Sequence, residues 1–141
     1  MATLRFNRWI WIAALWLGLI LFSSTTLARR IGERGYGVAS RRLAPAVQSA
    51  KDAELASILA PKTIHFALFF GFGILLFLAI EPGPRKNLWI LAIALIAGCA
   101  SEWLQRFFPT RTPLLIDACL NFVSAAAGLC VTLLIRRFTA G

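Results

Sequence analysis

The chain of 141 residues is 59% hydrophobic and 15% charged, with a mean hydropathy of +0.74. A soluble domain carries roughly a quarter charged residues, so this composition excludes an ordinary soluble enzyme and places the chain in the membrane class. The formal net charge of +9 falls mostly on residues flanking apolar runs, which argues for phospholipid headgroups and against nucleic acid as the basic residues' partner.

Arg5 and Arg8 precede an apolar run over residues 9–27, WIWIAALWLGLILFSSTTL. Its length approaches the roughly 20 residues needed to span a bilayer. Trp9, Trp11 and Trp16 cluster toward its start, where indole rings favour the headgroup level. Thr26 and Ala28 form a weak small-residue site for signal cleavage, but the run is longer than a usual signal core and reads as a retained helix. Arg29 and Arg30 close it, and a polar linker rich in glycine and arginine extends to about Ala60. The later part of that linker, AVQSAKDAELASIL, reads as a short helix lying on the membrane surface.

A second apolar run begins after Pro61, a residue suited to the first helical position, and ends at Glu81-Pro82-Gly83-Pro84. Arg85 and Lys86 flank a third, from about Leu88 to Phe107-Phe108-Pro109. The fourth starts at Pro113, with Thr112 as N-cap, and closes at Ile135 before Arg136-Arg137. The fold expected is all-α: an integral membrane bundle of four transmembrane helices, with a short interfacial helix between the first and second. Residues 1–28 form the first helix, 29–60 the basic linker and 61–141 a three-helix core. Four spans put both termini on one side, with Arg5, Arg8, Arg85, Lys86, Arg136 and Arg137. The opposite side, with the arginine-rich linker, Lys62, Arg106 and Arg111, carries more basic residues in total. The charges on the terminal side sit tightly at helix ends, however, and the termini are expected in the cytoplasm. Cys99, Cys119 and Cys130 lie inside apolar runs without a paired spacing. They read as small buried side chains, not a metal or disulfide framework.

The polar residues inside the apolar runs are few and periodic. Gly98, Ser101, Glu102 and Gln105 share one face of the third helix, and Asp117, Asn121, Ser124 and Gly128 one face of the fourth. Lys62, His65, Phe69 and Phe72 or Gly73 form a stripe on the second. All the polar members fall at one membrane level. Lys62, His65, Glu102, Gln105, Arg111, Asp117 and Asn121 are therefore expected to converge. There Lys62 and Arg111 could hold an anionic group, bidentately in the case of arginine. Glu102, Asp117 and His65 are the candidate acid/base residues, and Gln105 and Asn121 could orient a substrate or a water. The spacing matches no metal-ligand motif, and no cofactor is called for. The competing reading is a buried lock, with Glu102 paired to Arg111 and Asp117 to His65 or Lys62.

These residues carry a resemblance. Lys62-x-x-His65-Phe66-x-x-Phe69, then Glu102-x-x-Gln105 with Arg111 beyond a proline, then Asp117-x-x-x-Asn121 with Gly128 beyond, resembles the VanZ-like family over roughly residues 60–135. The family comprises small bacterial membrane proteins named for a teicoplanin-resistance accessory protein. The resemblance implies several transmembrane helices, motif residues near one face, and a cell-envelope role in the bacterial inner membrane. Two positions depart from it: Leu114 stands where a small polar residue is common, and Ser124 where glycine is common. The function expected is binding of an anionic lipid-linked or glycolipid substrate, with acid/base chemistry open. The alternatives are a non-catalytic accessory protein and a small transporter. For the latter, the sequence gives no clear sign of the broken helices that transport sites often use.

Overall fold

The computed structural model describes residues 7–25, 50–108 and 114–139, with positions 50–61 described by their backbone. These residues form four helices and no strand: α1 (Arg8–Ser23), α2 (Ala50–Ala79), α3 (Lys86–Gln105) and α4 (Leu115–Thr139). Three segments are long and apolar enough to cross a membrane: Lys62–Ala79 within α2, and all of α3 and α4. The chain is an all-helical, multi-pass membrane protein. Residues 29–49 of the expected linker, and Arg111, Thr112 and Pro113, lie outside the described residues.

α1 is the short member. Its 16 residues reach about 24 Å at 1.5 Å each, less than a hydrocarbon core of about 30 Å. The apolar run was expected to stay helical to Leu27, but the helix closes at Ser23 because local hydroxyls compete for its last carbonyls. Ser23 Oγ and Ser24 Oγ both donate to the Ile20 carbonyl (2.6 and 3.2 Å), and Thr25 Oγ1 donates to that of Phe22 (2.7 Å). The Ser24 and Thr25 amides reach back only three residues, the tight closure common at helix ends.

α2 corrects a second expectation. Pro61 does not begin the helix, and no separate surface helix precedes it among the described residues. α2 starts at Ala50 and runs through the proline. A proline inside a helix forfeits one hydrogen bond, but the stretch before it, AKDAELASILA, is rich in Ala and Leu, which favour the helix up to that point.

The helices alternate in direction, so α1 and α3 start at the end of the bundle where α2 and α4 finish. Asn7 shows this directly. Its Oδ1 accepts from the Trp9 amide at 3.1 Å and caps α1, while its Nδ2 donates to the Ala79 carbonyl at 2.7 Å and caps α2. One side chain thus closes two helix ends that would otherwise leave backbone groups unpaired. Asn7→Ala is expected to lower stability by about 2 kcal/mol, one cap and one interhelical bond. A melting curve in detergent that matches wild type would contradict it.

α2 packs most extensively on α4, and also on α1 and α3. The α2–α4 crossing depends on small residues. A Cβ on Gly73 would collide with the Ala125 carbonyl, and one on Gly128 with that of Phe70. Such close approach is how helices in lipid gain packing energy without a hydrophobic drive. Gly71 serves α1 in a similar way, since a Cβ there would lie 2.9 Å from the Trp16 ring. Trp16 consequently lies on α2, donating from Nε1 to the Leu68 carbonyl at 2.8 Å, and is not a headgroup anchor as its clustering with Trp9 and Trp11 implied. Phe69, Phe72, Ile20, Ile90, Ala94, Ala125 and Leu129 complete the core. The three cysteines are exposed on the outer surface, not buried. Each lies off the helix face that carries the small and polar residues, and a small apolar thiol is acceptable against lipid.

Candidate functional site

The residues of α3 and α4 that share one helical face turn it inward. Ser101, Glu102 and Gln105 on α3 are buried, as are Asn121 and Ser124 on α4. Both helices begin or end at the same level of the bundle, so their polar faces meet there. Gly98 lies where the two faces meet. A Cβ in its place would sit 3.4 Å from the Ala118 carbonyl and 3.5 Å from Asn121 Cβ, ordinary contact and looser than the α2–α4 crossing.

Glu102 is the centre of this buried layer at 7% exposure. Its Oε1 accepts from Gln105 Nε2 at 3.2 Å, one turn along α3, and from Asn121 Nδ2 at 3.4 Å, across from α4. A carboxyl at membrane depth is costly unless hydrogen-bonded, and these two amides supply bonds from two helices. Amide donors bond to a carboxylate oxygen or to the carbonyl oxygen of the protonated acid. The arrangement can therefore hold Glu102 in either state, as an acid/base group requires.

Lys62 and Asp117 form a second grouping. Lys62 Nζ lies 3.2 Å from Asp117 Oδ1, joining α2 to α4, with the two side chains 48% and 27% exposed. Asp117 and Asn121 stand one turn apart on α4, so the ion pair adjoins the Glu102 layer along that helix. His65 is half-buried on α2, one turn from Lys62. Arg111 is outside the described residues, six positions after Gln105 and six before Asp117 in the chain. Among the described residues no three His, Cys, Asp or Glu side chains gather as a metal ion would require.

The two departures from the family pattern have local outcomes. Ser124 Oγ donates to the Leu120 carbonyl at 2.6 Å, so its hydroxyl is satisfied within α4. Leu114 is 48% exposed, just ahead of α4.

One contributor was missed by sequence reasoning. Ser24, fully buried at the end of α1, shares a hydrogen bond of 2.7 Å with Ser101 Oγ, the residue beside Glu102. The first helix, which carries no motif residue, thus joins the polar layer. The signal available was the Ser-Ser-Thr-Thr run closing the first apolar segment, at the level where α3 ends.

No curated protein and no solved structure matches the chain. A family model described as VanZ/LLP1 does, over residues 9–136, which extends the likeness through α1.

Proposed function

The chain belongs to the VanZ/LLP1 family, and from that premise we propose that it binds an anionic lipid-linked or glycolipid envelope substrate at the polar end of its bundle. The observation that carries the reading is Glu102: a buried carboxyl held by amides from two helices, one of which, Asn121, stands one turn from the Asp117 of a half-exposed cation–carboxylate pair. Lys62 and Arg111 hold the anionic group, Gln105 and Asn121 orient it, and Glu102, Asp117 and His65 are the candidate acid/base groups. In this reading the protein sits in the bacterial cytoplasmic membrane with both termini in the cytoplasm, and the polar end opens to the outer leaflet.

A second reading is favoured by the Lys62–Asp117 pair, which joins α2 to α4 directly. Here the polar cluster is a lock in a non-catalytic accessory protein. A half-exposed pair contributes on the order of 1 kcal/mol or less, so the lock reading leans on the buried layer more than on this pair.

Native mass spectrometry of gently solubilised wild type beside Arg111→Ala separates the two. Wild type is expected to retain an anionic lipid that the variant loses while melting at an unchanged temperature. If neither retains a ligand and the variant fails to fold, the cluster is a lock.

A further inference from the structure

The opposite end of the bundle carries a group of charges that the polar layer does not use. Phe77, near the end of α2, is 7% exposed, and two cations converge on its ring. Lys86 Nζ, at the start of α3, lies 3.9 Å from the ring centroid, and Arg136 Cζ, near the end of α4, lies 5.8 Å from it. Three helices thus bring two like charges to one aromatic ring. Neither cation forms an ion pair with any described carboxylate, Glu81 at the same end included. An aromatic ring attracts each cation but cancels neither charge, and the two repel at close quarters unless an anion lies between them.

The level of this pair identifies the anion's source. Arg136 stands 19 positions beyond Asp117 on α4, about 28 Å along a helix axis and close to the thickness of a hydrocarbon core. Trp89, one turn past Lys86, is 59% exposed, and Leu88 is 65% exposed. An indole at that level favours the headgroup region, and the apolar surface beside the two cations suits acyl chains. We propose that Lys86 and Arg136 bind the phosphate of an anionic phospholipid in the leaflet opposite the Glu102 layer, with its chains along the exposed face of α3. The site is separate from the polar end and stands whether or not that end binds a substrate.

The test uses the full chain in neutral detergent micelles, titrated with phosphatidylglycerol, phosphatidylcholine or inorganic phosphate, with melting temperature as the readout. Phosphatidylglycerol is expected to raise the melting temperature saturably, and the other two are not. Lys86→Gln and Arg136→Gln should each raise the half-saturating phosphatidylglycerol concentration about fivefold. Arg137→Gln, which removes the same charge from the neighbouring exposed position, should change it less than about twofold. Equal losses at positions 136 and 137 would reduce the effect to diffuse attraction and overturn the site. A shift reproduced by inorganic phosphate would overturn the lipid assignment. Wild type unmoved by phosphatidylglycerol would overturn the proposal, whatever the variants do.

Discussion

Gly128→Val is expected to destabilise the bundle by about 3 kcal/mol or more, enough to remove most of the folded yield from a marginally stable protein. A Cβ at Gly128 meets the carbonyl of Phe70, which is backbone and cannot rotate aside, so α2 and α4 must separate. Separation also undoes the matching contact at Gly73 against Ala125. Gly73→Val should therefore behave alike, and the double variant should cost less than the sum, because one displacement relieves both clashes. Gly18 is the internal control. Nothing lies within 4 Å of a Cβ built there, so Gly18→Ala should raise stability by up to about 1 kcal/mol through helix propensity. Gly98→Ala, at ordinary contact distances, should be close to neutral. Fluorescence-detected size-exclusion melting of the five variants would show the order, and a Gly128→Val protein that melts with wild type would refute the crossing.

Glu102 carries the second large effect, and its size depends on what replaces it. Glu102→Leu removes the acceptor shared by Gln105 Nε2 and Asn121 Nδ2 and leaves two buried amides to find other partners. The expected loss is about 1–3 kcal/mol for each donor stranded. Glu102→Gln keeps a carbonyl oxygen in place and should melt within about 1 kcal/mol of wild type, while being unable to exchange a proton. Under the proposed function, ligand retention survives in Glu102→Gln and any turnover is lost. Under the lock reading, Glu102→Gln behaves as wild type in every assay. A Glu102→Leu protein as stable as wild type would show that the amides do not depend on the carboxyl.

The periodic placement of polar residues was sufficient to show which faces turn inward. Gly98, Ser101, Glu102 and Gln105 recur at helical spacing in a run otherwise apolar, and a polar face in such a helix is driven inward because lipid offers no hydrogen bonds. The same logic covers Phe69 and Phe72, buried on the stripe that begins at Lys62. It failed at Pro61, where a strong local signal for a helix start is absorbed into a longer helix. A separate inference failed for the cysteines, whose burial was read from residue type and their place inside apolar runs without regard to helix face.

What the sequence determined by itself is the membrane class, the helical content and, among the described residues, the end of the bundle that carries Lys62, Glu102, Gln105, Asp117 and Asn121, since these follow from composition and period. What the tertiary structure decided is how those residues pair. Glu102 is held by Gln105 and Asn121 where α3 meets α4, and Asp117 by Lys62, because the Gly73–Gly128 crossing fixes how closely α4 approaches α2. The places of Asn7, Trp16 and Ser24 were decided there too. Each bonds to a residue more than fifty positions away, and no local pattern encodes a partner at that separation.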